Sequence, residues 1–113
     1  MKYALLVYEP APGSHEVLTE EQYDALFPEY MALAEDSRFL DGAQLRPVAT
    51  ATTVRVQDGR TLTTDGPFAD TKEVFGGYYL FEADNLDQAI ELAARIPAAR
   101  IGGSVEVRAV VER

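Results

Sequence analysis

Tyr3-Ala4-Leu5-Leu6-Val7-Tyr8 is apolar on both of its alternating faces, with Tyr3, Leu5 and Val7 on one and Ala4, Leu6 and Tyr8 on the other. A strand with one wet face alternates apolar and polar residues, so this pattern predicts a central strand covered on both sides. Tyr78–Ala83 has the same two-faced character. Between and after these strands lie two helical patterns. Thr19-Glu20-Glu21-Gln22 reads as a capping box. Tyr23, Leu26, Phe27, Tyr30 and Ala34 follow it at helical spacing. Pro28 interrupts that run and predicts a kink, or a second helix starting there. Asn85 caps the second pattern, in which Leu86, Ala89, Ile90, Ala93 and Ile96 form a stripe that Pro97 ends.

The other segments complete a sheet. Phe39–Leu45 reads as a short strand or a turn around Asp41-Gly42. Ala51–Gln57 and Arg60–Thr64 flank Asp58-Gly59, a strong two-residue hairpin signal. Val105, Val107, Ala109 and Val111 alternate with Glu106 and Arg108 in a last strand. Strand, helix, hairpin, strand, helix, strand predicts an α+β fold: a ferredoxin-like sandwich, its antiparallel sheet carrying two helices on one face. Two helices cover one face only. The apolar residues on the other face therefore predict a homodimer, with a second copy as the cover.

Composition narrows the chemistry. At 113 residues the chain reads as one domain, 1–113, able to bury its own core. With no cysteine, disulfide and thiolate chemistry are excluded, and a single histidine argues against a histidine-rich zinc site. No metal or redox cofactor is expected. A formal charge of −9 disfavours direct binding to nucleic acid or to an anionic membrane. No apolar run approaches the roughly 18 residues a spanning helix needs. The apolar N-terminal run is short, suits a strand and ends at Glu9-Pro10 without a good cleavage site. The expectation is a cytoplasmic protein.

Chemistry-bearing residues concentrate in Asp65-Gly-Pro-Phe-Ala-Asp-Thr-Lys-Glu73. Asp65, Gly66 and Pro67 suit a turn, and Asp65 either holds that turn or faces a pocket. Asp70 suits a solvated loop. Lys72 and Glu73 stand just before Gly76-Gly77, where the chain enters the sheet, so either can point inward. A lysine near carboxylates in a cleft serves acid–base chemistry or holds an anionic ligand. Asp65, Lys72 and Glu73 are thus the candidate catalytic residues, with Phe68, Tyr78 and Arg55 as candidate ligand contacts. Phe68 equally suits a core anchor, and Arg55 a surface or cleft wall. Gly76-Gly77 marks a bulge or close backbone approach, and Tyr78 and Tyr79 should face opposite sides of the sheet. His15 falls in a Pro/Gly/Ser loop and is expected to be exposed.

These residues carry a resemblance. The nine-residue stretch resembles the signature of the DGPF-motif proteins within the YCII-related family, with Asp70 where glutamate is usual. Ala51-Thr-Thr-Val-Arg55, Gly76-Gly-Tyr-Tyr-Leu80 and Gly103-Ser-Val-Glu-Val-Arg108 are similar to further segments of that group. The resemblance implies a dimeric α+β barrel, two ferredoxin-like subunits with their sheets facing. The broader family has a proposed histidine–aspartate pair with the histidine on the first helix. This chain has no histidine there, so that pair is not carried over. Some relatives accompany or are fused to extracytoplasmic-function sigma factors, which implies a regulatory protein partner and a sensing role.

Three readings follow. In the first, the protein is a cofactor-free acid–base enzyme, isomerase- or lyase-like, acting on a small polar substrate in a cleft between the helix side and the signature loop. In the second, the same cleft senses a small molecule and the dimer reports it. In the third, the motif only builds the dimer.

Overall fold

The computed structural model describes residues 1–14, 17–66 and 71–113; His15, Phe68 and Asp70 lie outside the described residues. The elements are β1 (Lys2–Pro10), α1 (Glu20–Ala34), β2 (Phe39–Gln44), β3 (Thr52–Gln57), β4 (Arg60–Asp65), β5 (Glu73–Glu82), α2 (Leu86–Ala94) and β6 (Ser104–Ala109). Short 3-10 turns occupy Val48–Thr50 and Pro97–Arg100. The main sheet runs β2-β5-β1-β6 with every neighbouring pair antiparallel. The two strands with apolar residues on both faces, β1 and β5, occupy its centre, as their patterns predict. With β3–β4 set aside as a separate hairpin, the strand order is that of a ferredoxin-like sandwich.

Both helices pack on one face. Tyr3, Leu5 and Val7 of β1 and Phe81 of β5 are buried there against Leu33 of α1 and Ala89, Leu92 and Ala93 of α2. Ile96 and Ala98, just after α2, close the same core. On the opposite face Ala4, Leu6 and Tyr8 are only half-buried. The short dimension of 19 Å fits a sheet with one helical layer, given that packed layers lie about 10 Å apart.

Local expectations fare unevenly. The capping box is present: Thr19 Oγ1 accepts from the Gln22 amide at 3.2 Å, and Gln22 Oε1 accepts from the Thr19 amide at 2.9 Å. Asn85 caps α2 by accepting from the Gln88 amide at 3.0 Å. At Pro28 no second helix begins, because α1 continues through it to Ala34. The proline removes one amide only, and both Pro28 and Asp24, whose carbonyl that amide would reach, are exposed to water. The stripe on α2 also differs. Ala89, Ala93 and Ile96 are buried, but Leu86 and Ile90 are exposed and Leu92 takes the inner position. Among the described residues, no helix is long and apolar enough to cross a membrane.

Gly76-Gly77 does mark a bulge. Val7 pairs with Gly77 and Tyr8 with Phe75, which leaves Gly76 as the extra residue on β5. Beyond it the alternation of β5 changes phase, so Phe75 stands beside Tyr8 with ring centroids 5.6 Å apart.

Candidate functional site

A cleft of roughly 180 Å³ lies between α1 and the sheet. Helical spacing puts Tyr23, Phe27, Tyr30 and Met31 along its outer wall, while Glu9, Gln44 and Tyr79 come from the sheet. Few-polar, mostly apolar concavities of this kind are where small molecules bind.

Three side chains meet at its polar end. The Tyr23 hydroxyl donates to Glu9 Oε1 at 3.2 Å and accepts from Gln44 Nε2 at 3.0 Å. Glu9 Oε2 makes no hydrogen bond among the described residues. Burial, followed by the charge of Glu9, pushes the Tyr23 hydroxyl well above the usual tyrosine range. Tyr23 therefore stays protonated across physiological pH and acts as a donor.

Aromatic packing fixes the rest of the wall. Tyr23 stacks on Tyr30 with centroids 6.2 Å apart and planes 16° from parallel. Tyr79 donates its hydroxyl to the Tyr30 carbonyl at 3.1 Å, tying β5 to α1, and burial raises it to about 12. Burial also raises Tyr30. Phe39 meets Tyr79 edge-on at 5.8–6.2 Å from it and Phe81. Such ring pairs are worth about 0.5–1.5 kcal/mol beyond area burial and resist rearrangement.

The residues singled out in the sequence lie mostly elsewhere. Tyr78 borders the cleft, while pairing with Leu6 and Ala43 on the face away from Tyr79. Asp65 ends β4 opposite Thr52 and is exposed. Arg55 sits in mid-β3 opposite Leu62 and is exposed. Lys72 is exposed, and its backbone carbonyl accepts from the Ala11 amide at 2.9 Å. Glu73 is half-buried and accepts from Ser104 Oγ at 2.6 Å. No hydrogen bond or ion pair joins Asp65, Lys72 and Glu73 to one another among the described residues. Glu73 lines a broader hollow of about 600 Å³ with Tyr8, Arg46, Thr53 and Phe75. Among the described residues, no group of three or more acidic or histidine side chains is placed to hold a metal.

Glu9, Tyr23 and Gln44 escaped sequence reading because each suits a plainer role: strand end, helix core and strand edge. The available signal was Glu9 itself, a carboxylate directly following a fully apolar strand, with a glycine pair in the partner strand.

Comparison with known proteins agrees with this architecture. A 67-residue stretch is 43% identical to an uncharacterized protein of Rhizobium meliloti (strain 1021), covering 58% of this chain and 54% of that protein. The match thus spans about half the length of that curated relative. A 5-chloro-2-hydroxyhydroquinone dehydrochlorinase from Burkholderia phenoliruptrix AC1100, solved in complex with 2,5-dihydroxybenzoquinone, superposes with a TM-score of 0.55. The alignment covers 100% of this chain and 96% of that one at 15% identity, a likeness of fold. The chain belongs to the YCII-related domain family, whose profile it matches from residue 1 to residue 113.

Proposed function

We propose that the cleft between α1 and the sheet takes a small, flat, polar molecule and that Glu9 and Tyr23 perform acid–base chemistry on it, isomerase- or lyase-like and without a cofactor. One observation carries this reading: a carboxylate with one uncommitted oxygen is hydrogen-bonded to a protonated tyrosine at the polar end of an aromatic-walled cleft. Glu9 Oε2 takes a proton from the substrate, and Tyr23 gives its own to the atom that gains electron density. Burial, the main cause, still holds Tyr23 high once Glu9 is protonated, but the smaller part due to the Glu9 charge goes. Tyr23 then parts with its proton more readily than in the resting site. The direct Glu9–Tyr23 hydrogen bond then returns the proton and resets both groups.

Ring-shaped substrates suit walls made of Tyr23, Tyr30 and Phe39, which favour stacking. The hydroxylated ring named with the structural neighbour supports the same class. The test is turnover of a panel of hydroxylated and halogenated hydroquinones. Glu9→Gln should lower kcat by about 10²–10⁴ and Tyr23→Phe by about 10², with the ring still binding. Saturable binding without turnover would move the protein to the sensing reading. Neither binding nor turnover anywhere in the panel would sink the proposal.

Asp65, Lys72 and Glu73 form a second candidate set, with Phe68, Tyr78 and Arg55 as its proposed ligand contacts. The observation favouring it is Glu73, held by Ser104 in the lining of the broader hollow that Arg46 also lines. We also propose that a second copy covers the outer sheet face, where Leu6, Tyr8, Phe75, Tyr78 and Leu80 are left without a helix above them.

A further inference from the structure

We infer that Gly76 is a positioning residue for the Glu9 carboxylate: the side chain it lacks is the space that carboxylate occupies. A Cβ built on Gly76 would lie 2.7 Å from Glu9 Cδ and 2.9 Å from each of Oε1 and Oε2, and these are its three nearest neighbours. Real side chains do not approach that closely, so any residue but glycine must displace the carboxylate.

The backbone does not itself require glycine here. Gly13, Gly59, Gly66 and Gly102 have positive φ, and Gly76 does not. Gly77 next to it is different, because its Cβ would meet the Ala43 carbonyl of the paired strand at 2.6 Å. Gly77 thus serves sheet pairing, whereas Gly76 serves one side chain. The bulge cannot simply retreat from an added methyl, because the Gly76 carbonyl accepts from the Leu45 amide at 2.9 Å. The flexible end of Glu9 must move instead, and with it Oε1, which holds the Tyr23 hydroxyl. This explains why an extra residue is inserted opposite the Val7–Tyr8 step. The bulge places a residue without a side chain beside the carboxylate, in the cleft that Glu9, Gly76 and Tyr23 all line. The catalytic meaning of this placement rests on the role proposed for Glu9, while the placement itself does not.

The test uses the whole chain without a ligand. Thermal unfolding is compared for the parent, Gly76→Ala, Glu9→Ala and the double variant. Gly76→Ala should change the melting temperature less favourably with Glu9 present than in the Glu9→Ala background, because only with Glu9 present must a carboxylate shift and release Tyr23. In the Glu9→Ala background it should have no effect or raise it slightly, since Gly→Ala restricts the unfolded chain. An equal change in both backgrounds would mean that Gly76 acts independently of Glu9, and would overturn the inference. The second readout is the side-chain carboxyl ¹³C resonance of Glu9. Tyr23→Phe should move it in the parent and leave it unmoved in Gly76→Ala, where the hydrogen bond is already broken. A resonance that responds to Tyr23→Phe equally in both proteins would overturn the inference, whatever the melting temperatures. Neither measurement depends on turnover, so a failed substrate search would leave this result standing, and the converse holds too.

Discussion

Tyr79 shows how one hydroxyl can hold two layers together. It reaches from the central strand β5 to the Tyr30 carbonyl in mid-α1, between Phe39 and Phe81. A helix carbonyl that already accepts an intrahelical bond keeps a second lone pair for such a donor. Tyr79→Phe retains the ring packing and removes only that bond, so it should cost about 1 kcal/mol in urea unfolding. A loss near zero would show that α1 is held by ring packing without help from this hydroxyl. The residue scale is also where the sequence was least legible. Tyr23 reads as part of a helical apolar stripe and Tyr79 only as facing the side opposite Tyr78; both are half-buried, Tyr79 against the core. Only the fold brings Glu9, 14 positions before Tyr23, and Gln44, 21 positions after it, within reach of one hydroxyl.

Elements, by contrast, were nearly all readable, because periodicity and capping are local. The strands with apolar residues on both faces are central, Thr19 and Asn85 cap as their side chains allow, and Asp58-Gly59 turns the hairpin with Asp58 at φ 52°. Of the two outcomes expected at Pro28, the second helix does not form, and for a physical reason: a missing amide matters little where water can satisfy the orphan carbonyl. A connection between elements was not legible at all. Asp36, just after α1, accepts from the Arg38 backbone amide and guanidinium and from Arg95 at the end of α2. These bonds, those of Arg38 first, hold the Asp36 carboxyl well below the usual carboxylate range. The folded state therefore binds its proton less readily than the unfolded chain, whose aspartate titrates near pH 4. The resulting stability is present above about pH 4 and is lost as pH falls toward the depressed folded value. Asp36→Asn should thus be less stable than the parent by about 1 kcal/mol at pH 7, with the gap shrinking from pH 4 toward pH 2. A gap that stays constant down to pH 2 would show that the carboxylate charge plays no part.

At the scale of the molecule, the sheet is helical on one side and bare on the other. Leu6 and Leu80 on the bare side stand in central strands, with the hairpin's Val54, Val56 and Leu62 exposed as well. An apolar sheet face is normally covered, and a second copy is the proposed cover. Light scattering at micromolar concentration should then give twice the 12.4 kDa chain mass. Leu6→Arg, on the face away from the core residues Leu5 and Val7, should return the mass to that of one chain without unfolding it. A parent protein that already runs as a monomer would refute the arrangement.

The cleft itself can be tested without knowing the natural substrate. An isotope-labelled sample titrated with 2,5-dihydroxybenzoquinone reports, through its chemical shifts, which side of the sheet the ring occupies. Binding between α1 and the sheet gives saturable shifts centred on Glu9, Tyr23, Tyr30 and Gln44, reduced in Tyr23→Phe. Shifts confined to Tyr8, Glu73 and Phe75 would contradict that placement and transfer the site to the opposite face.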